Sequence, residues 1–254
     1  MILVISPSKT LGSLKLMGSI NATIPNFTQK SEKIVKVLRK YSERELADIM
    51  DINPSLARLN FERYIKWQLP FTFENSQVAI AIFKGDVYEG IEAQTLTPAD
   101  LEFAQNHLRI LSGLYGVLRP LDLMQPYRLE MGMKISIGKA TNLYEFWGND
   151  ITNDLNASLS SSKLLINLAS KEYFLSLNKE TLKGEIVTPE FRQYNNGNPK
   201  VVPILAKRAR GLMTRYIIKN RITEIESLKH FDYEGYMLNP ELSTEKTLAF
   251  VRYA

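Results

Sequence analysis

The chain of 254 residues contains no cysteine, and it has only two histidines. Disulfides, thiolate nucleophiles and iron–sulfur ligation by this chain are therefore excluded. His107 and His230 stand in unrelated sequence contexts, so we expect no histidine-based metal site and no resident metal or cofactor.

Long apolar runs are also missing. No stretch approaches the ~20 apolar residues that cross a membrane. The N-terminus, MILVISPSKT, lacks the basic segment that precedes the apolar core of a secretory signal. We therefore expect a cytoplasmic protein that makes no membrane contact.

Three short catalytic signatures are absent as well, namely the P-loop, the dinucleotide-binding glycine pattern and the nucleophile elbow. An acid–base site is still conceivable if Lys84, Asp86 and Glu172 converge, with Glu89 and Glu130 as further candidates. An enzyme acting on a phosphorylated or nucleic-acid substrate is therefore our alternative interpretation.

The apolar runs that are present predict strands at 2–5, 78–83, 164–168, 201–205 and 246–252. Capping patterns at Ser42 and Thr97 predict helix starts, and further helices are expected over 143–159 and 206–220. Strands and helices alternate unevenly. This favours a single mixed α/β domain over 1–254, with a strongly curved mixed sheet surrounded by helices.

A glycine pair punctuates the middle of the chain at Gly113-Leu114-Tyr115-Gly116. An amphipathic helix beginning at Thr97 is expected to reach Ser112, and one or two helical turns are expected over 117–123. This pattern is typical of a helix-hairpin-helix, here at about 98–124, whose backbone N–H groups hold phosphates. An ordinary helix cap at Gly113 is the alternative. The expected phosphate contacts come from Ser112, Gly113, Tyr115, Gly116 and Arg119, although Tyr115 could instead pack inward.

The net charge of +5 arises from 32 Lys and Arg against 27 Asp and Glu. Its distribution is uneven, because no acidic residue occurs from 191 to 223. A basic helix at 206–220 follows, on which Gly211 would permit close approach of a ligand backbone. The alternative is an ordinary solvated face. The basic residues of this segment are Arg192, Lys200, Lys207, Arg208, Arg210, Arg215, Lys219 and Arg221.

Three lysines follow the ends of predicted strands. Lys9, Lys84 and Lys171 come shortly after Ser6, Phe83 and Leu168. Ligands often bind at strand ends in α/β sheets. If the three ammonium groups converge, they form an anion site. The alternative is that each lysine is an ordinary surface charge.

Several segments together resemble one known family. They are SPSKT (6–10), FKGDVYEG (83–90), the block 108–132, FWG (146–148), INLASKEYF (166–174), KRARGLMTRYII (207–218) and FDYEGY (231–236). In these segments the chain is similar to the YaaA family of peroxide-stress proteins, over essentially its whole length. One departure is Ser8, where the family usually has alanine.

The resemblance implies a bacterial cytoplasmic protein that limits hydrogen peroxide damage by lowering unincorporated iron. It also implies binding of duplex and branched DNA with little sequence preference, through a positively charged cleft and a helix-hairpin-helix on a fold named after a cantaloupe. No reaction and no obligate protein partner are implied. Carried over here, the hairpin is Ser112 to Gly116, and the basic helix adds Lys207 and Arg210. The inferred cleft residues are Lys9, Lys84, Arg128, Lys171, Arg208 and Arg215.

Overall fold

The computed structural model describes residues 1–159, 163–195 and 197–253. Its strands are, in chain order, β1 (Ile2–Ile5), β2 (Gln77–Val78), β3 (Leu108–Ser112), β4 (Gly116–Leu118), β5 (Leu123–Met124), β6 (Leu164–Leu168), β7 (Glu185–Asn195), β8 (Asn198–Lys200), β9 (Met237–Leu238) and β10 (Thr247–Arg252).

The helices surround these strands. They are α1 (Thr28–Leu38), α2 (Glu43–Met50), α3 (Pro54–Lys66), α4 (Ala79–Ile82), α5 (Asp86–Ile91), α6 (Pro98–His107), α7 (Leu143–Trp147), α8 (Asp150–Ser158), α9 (Lys171–Phe174), α10 (Pro203–Lys219) and α11 (Ile225–Leu228). Short 3-10 turns lie at Ala93–Thr95, Tyr233–Gly235 and Pro240–Leu242. None of the helices in the described ranges has the length and apolar character needed to cross a membrane.

The main sheet is mixed, with the strand order β4-β3-β1-β6-β7-β10-β9 and with β8 paired to β7. The pairs β3–β1, β1–β6, β6–β7 and β7–β10 are parallel, and the remaining pairs are antiparallel. β1 lies inside the sheet with all four residues buried, as a run without polar positions requires. The mixed α/β class and the strands expected near 2–5, 164–168 and 246–252 are confirmed.

Two other strand predictions are wrong. Over 78–83 only Gln77–Val78 is a strand, and the next four residues form α4, in which every residue is buried. Over 201–205 the helix α10 already begins at Pro203, where proline suits the first helical position. A short, continuous apolar run carries no periodicity, so the sequence pattern cannot separate a buried strand from a buried helix.

The expected helix-hairpin-helix is not what the chain forms. α6 starts at the predicted Thr97 cap but ends at His107. The following residues form β3, which returns through a tight turn into β4, with Ser112 opposite Gly116. The glycine pair therefore closes a β-hairpin, and 117–123 is not helical. The chain changes from helix to strand here because Leu108–Ser112 pairs in parallel with β1.

The helix predicted over 143–159 is divided in two. Gly148 ends α7 with a φ of +50°, a backbone conformation that suits glycine and that no right-handed helix continues through. α8 begins two residues later. Together the helices, the hairpin and the sheet share one contiguous hydrophobic core.

α5 and α10 pack at backbone distance because each presents a glycine to the other. A Cβ atom added to Gly90 would lie 2.5 Å from the carbonyl oxygen of Arg208, and one added to Gly211 would overlap the carbonyl oxygen of Val87. The glycine at 211 is thus needed for helix packing, and the expectation that it admits a ligand backbone is wrong. This contact fixes α10 against the segment that follows Lys84.

Candidate functional site

A cleft of about 580 Å³ opens where β1 and β6 end. Its walls come from the segments after these strands, from the turn that leads into α5, and from one side of α10. The lining residues are Ser6, Pro7, Ser8, Lys9, Thr10, Lys84, Gly85, Asp86, Val87, Tyr88, Leu168, Ser170, Glu172, Tyr173, Lys207 and Arg210.

Hydrogen bonds tie the three wall segments together. The backbone N–H of Ser170 donates to Ser6 Oγ at 2.8 Å, and the buried Tyr88 hydroxyl donates to the Ser6 carbonyl at 3.1 Å. The N–H of Lys84 donates to the Thr10 carbonyl at 3.0 Å. Because these bonds link segments far apart in sequence, they fix the positions of Lys9, Lys84 and Lys171 relative to one another.

The position of Lys84 depends on a glycine. Its aliphatic stem crosses Gly12 so closely that a Cβ atom there would overlap it, while the N–H of Gly12 donates to the Ile82 carbonyl at 2.7 Å. A long side chain held along the backbone in this way loses little further freedom when its ammonium group binds a ligand.

The cleft carries an excess of cationic groups. Lys9 is paired with Glu130 at 2.7 Å, whereas Lys84, Lys207 and Arg210 form no ion pair with any residue in the described ranges. Asp86 and Glu172 supply the opposing charge at the cleft wall. Lys9 and Lys84 both line this cleft. Lys171 does not, and it lies in an adjoining pocket that shares Arg210.

Arg210 is the most unusual of these cations. Its side chain is partly buried, and desolvation lowers the pKa of its guanidinium group. Within the part of the chain that the structure describes, no hydrogen-bond acceptor or carboxylate contacts the guanidinium. Even a partly buried cation is costly without a counter-charge, so the site favours an anionic ligand.

The three residues of the alternative enzymatic interpretation also meet here. Lys84, Asp86 and Glu172 all line the same cleft, and Glu172 is oriented by the N–H of Gly132, which donates to its carboxylate at 3.0 Å. The cleft is therefore lined by an ammonium group and two carboxylates, which are groups that can act as general acids and bases.

The glycine hairpin, by contrast, is part of the core. Ser112, Gly113, Tyr115 and Gly116 are all buried. Ser112 Oγ accepts the N–H of Tyr115 at 2.9 Å and lies 2.6 Å from the Tyr127 hydroxyl, and the Gly113 carbonyl accepts the indole N–H of Trp147 at 3.0 Å. The N–H of Tyr115, one of the groups expected to hold phosphate, is therefore already bonded within the protein.

Close packing leaves no space for a side chain at either glycine of the hairpin. A Cβ atom at Gly113 would lie 2.5 Å from the Leu129 carbonyl oxygen, and one at Gly116 would lie 2.8 Å from the Trp147 ring. Gly116 also has a φ of +70°, which side chains disfavour. The phosphate-clamp expectation for this turn is corrected accordingly, because burial and neighbouring side chains leave no room for a nucleic-acid backbone.

Two predicted arginines do not line the cleft, although Arg128 lies in a small adjoining pocket that shares Lys9 with it. Arg119 pairs with Asp122 at 2.8 Å and donates to the carbonyl of Ile24, so it fastens the loop after β4. Arg128 pairs with Glu130 at 3.2 Å, and its buried Nε has no hydrogen-bond partner among the described residues.

The acid-free segment is neutralised by acids from elsewhere in the chain. Arg208 pairs with Glu234 at 2.7 Å, and this hydrogen bond raises the pKa of Arg208. Arg215 lies 3.5 Å from Glu92, and Lys219 and Arg221 both reach Asp100, while Arg192 reaches Glu190. Arg208 and Arg215 were expected in the cleft, but they do not line it.

Lys207 and Arg210 are therefore the residues through which α10 contributes charge to the cleft. The residues that sequence reasoning missed are Thr10, Tyr88 and Ser170. Each stands within four residues of a predicted lysine, so proximity to those lysines was the available signal. Across the described ranges no group of three or more His, Cys, Asp or Glu side chains is placed to hold a metal ion.

Comparison with known proteins gives one family. A family model described as "Peroxide stress protein YaaA" matches residues 1–242. A UPF0246 protein of Acaryochloris marina is 51% identical over 252 residues, which cover 99% of this chain and 100% of that protein. UPF0246 proteins of Aliivibrio fischeri and Dechloromonas aromatica are 47% and 46% identical over 254 residues, covering 99% of this chain and 98% and 99% of theirs.

Proposed function

The chain belongs to the YaaA family of peroxide stress proteins, and we propose that it acts in the bacterial cytoplasm as a DNA-binding protein. Its cleft receives the phosphate backbone of duplex or branched DNA with little sequence preference. By occupying DNA during peroxide stress, the protein helps to limit iron-dependent oxidative damage to it.

One observation carries this proposal. Four cationic side chains line a single cleft, and the three on Lys84, Lys207 and Arg210 have no acidic partner in the described part of the chain. Phosphate contacts of this kind position a protein on nucleic acid without reading its bases. The interface is centred on this cleft, because the glycine hairpin is buried.

The affinity expected from such contacts is strongly salt-dependent, since each neutralised phosphate releases condensed counterions. Fluorescence anisotropy with labelled duplex, four-way junction and single strand, each at two salt concentrations, tests this. We expect a steep fall of affinity with salt for duplex and junction. Affinity that is absent at low salt, or that does not change with salt, would refute the proposal.

A charge-reversal series localises the contact. Lys84→Glu and Lys207→Glu should each weaken duplex binding at least tenfold at low salt. Lys33→Glu, which makes the same change on the exposed side of α1, is the matched control and should bind like wild type. Equal weakening by all three variants would mean that net charge, and not the cleft, governs binding.

The second candidate function is an enzyme that uses the same cleft on a phosphorylated or nucleic-acid substrate. It is favoured by the placement of Lys84, Asp86 and Glu172 around one volume. In this reading Lys84 and Arg210 hold phosphate and a carboxylate moves a proton. Turnover of a nucleic-acid or phosphate-ester substrate by wild type but not by Asp86→Asn or Glu172→Gln would favour it over binding alone.

A further inference from the structure

A second pocket of about 520 Å³ adjoins the cleft. It lies between β6, β7, α9 and the beginning of α10, and Arg210 lines both cavities. Most of its wall is apolar, formed by Phe174, Leu175, Pro189, Phe191, Val201 and Ala206. Leu175 and Val201 are each 55% exposed at its margin. The volume is in the range of small-ligand sites.

The cationic part of this pocket lies on the side nearest the cleft. Lys171 and Arg210 have no acidic partner in the ranges described. The other two cations at the pocket are engaged, because Arg192 pairs with Glu190 at 2.6 Å and Lys179 lies 5.5 Å from the centre of the Phe174 ring. A ligand would therefore meet two available positive groups beside an apolar wall.

The pocket also contains two polar side chains from neighbouring strands. Asn167 Oδ1 accepts the N–H of Ala169 at 3.1 Å, and its amide nitrogen lies 3.4 Å from Thr188 Oγ1. An amide carries two N–H donors and a hydroxyl carries one. Donors thus remain here for the polar edge of a ligand whose faces contact apolar side chains.

A planar heterocycle joined to a phosphate has this combination of properties. We propose that the pocket binds a nucleoside monophosphate unit, with the phosphate at Arg210 and Lys171 and the base against the apolar wall near Asn167 and Thr188. The unit is either a free mononucleotide or an unpaired nucleotide of a DNA strand lying in the cleft. Only the second source rests on the proposed function.

Because Arg210 lines both cavities, the geometry is compatible with a nucleotide that belongs to a DNA strand in the cleft. A phosphodiester bound in the cleft and a base in the pocket would both lie beside the same guanidinium group. Extruding a base from the stack costs least where the base is mismatched or unpaired. The pocket would therefore favour DNA with an unpaired base, without reading the paired sequence.

Isothermal titration calorimetry on the full chain tests whether the pocket binds free mononucleotides. We expect adenosine and cytidine monophosphate to bind saturably, and ribose 5-phosphate and inorganic phosphate at least tenfold more weakly. Val201→Trp fills the pocket from an exposed position and should abolish nucleotide binding. Ile204→Trp, also exposed at 62% but outside the lining, is the matched control. Arg210→Gln should weaken nucleotide binding at least tenfold.

The DNA source is tested with 2-aminopurine at an unpaired position in a duplex. Binding should raise its fluorescence, because the base leaves the stack. With Val201→Trp the fluorescence rise should disappear while anisotropy still reports bound DNA. A rise that persists in this variant would mean that the base enters another site, and it would count against the pocket.

The two proposals fail differently. Saturable nucleotide binding that Val201→Trp removes supports the pocket even if no DNA binds, although the proposed function would then fall. Intact DNA binding without nucleotide affinity and without a 2-aminopurine signal overturns the pocket alone. Equal affinity for ribose 5-phosphate and mononucleotides also overturns it, because the apolar wall would then contribute nothing.

Discussion

Lys207 and Arg208 are consecutive on α10, but they serve different surfaces. Lys207 lines the cleft, whereas Arg208 donates to the carboxylate of Glu234 at 2.7 Å. Successive residues on a helix point about 100° apart, so one helix supplies both an available cation and a paired one.

Neutralising these two neighbours should separate binding from stability. We expect Lys207→Gln to weaken DNA binding severalfold and to reduce the salt slope by about 1. Arg208→Gln should leave DNA affinity and its salt slope unchanged. It should lower the free energy of unfolding by less than ~1 kcal/mol, because the Arg208–Glu234 ion pair is partly solvated. Anisotropy across a salt series, with urea unfolding of each variant, measures both. Stronger loss of binding in Arg208→Gln would contradict the assignment.

The hydroxyl of Tyr115 should be structural. It accepts the indole N–H of Trp67 and the N–H of Gln125, each at 3.0 Å, and donates to the Gln125 carbonyl at 3.1 Å. Tyr115→Phe leaves these buried groups unsatisfied and should cost ~2 kcal/mol or more in urea unfolding. DNA affinity of the folded protein should not change. Tyr253→Phe, at an exposed position, controls for loss of a hydroxyl.

If Tyr115→Phe instead weakens DNA binding without loss of stability, the hairpin contacts DNA after all, and its burial as described here would be disproved.

Adding a methyl group at the α5–α10 contact should destabilise the fold. Gly211→Ala forces a Cβ atom into the Val87 carbonyl oxygen, and overpacking of this kind typically costs ~1–3 kcal/mol. Thermal unfolding of Gly211→Ala should show a clear fall in Tm. Gly132→Ala is the control, since its added Cβ would meet its nearest neighbour at an ordinary 3.4 Å. Similar stability of the two variants would argue against the close helix contact.

Asp100 should make folding stability depend on pH. Its carboxylate is buried, which opposes ionisation, but hydrogen bonds from Lys219, Thr97 and Arg221 outweigh this and hold its pKa well below the usual 3.8. A carboxyl whose pKa is lower in the folded than in the unfolded chain stabilises the fold at every pH above its unfolded pKa. This stabilisation is lost as the pH falls below the unfolded pKa toward the folded one. Urea unfolding of wild type and Asp100→Asn should therefore differ strongly at pH 7 and less at pH 3.

Asp48→Asn is the matched control, because Asp48 is exposed on α2 and forms no ion pair among the described residues. It should change stability little at either pH. A difference between wild type and Asp100→Asn that grew on acidification would reverse the sign of the argument.

Local signals in the sequence were sufficient where the physics is local. The capping boxes at Ser42 and Thr97 were identifiable because a side chain and an N–H three residues apart satisfy each other. The strand at Ile2–Ile5 was identifiable because an unbroken aliphatic run rich in β-branched residues suits the interior of a parallel sheet. The end of α6 at His107 could not be identified from the sequence, because the pairing of the following residues with β1 sets it.

The sequence also located part of the site. Lys9 and Lys84 were candidates because each follows an apolar run. The reason holds for Lys9, which follows the end of β1, where ligands often bind in α/β sheets. It fails for Lys84, because the run before it is α4 and not a strand. The pocket beside Arg210 was not foreseen, since its walls come from four separate elements that only the tertiary packing brings together.

By itself, then, the sequence determined the family, the mixed α/β class, the helix starts and two of the cleft lysines, all of which follow from short-range pattern or from overall similarity. Tertiary structure alone decided which cations remain unpaired. Eight basic residues in a segment with no acid of its own suggested a charged surface, but Glu92, Asp100, Glu190 and Glu234 neutralise five of them. Of these acids only Glu190 lies close by in the chain. Charge pairing acts through space, so it depends on distances that the order of residues does not contain.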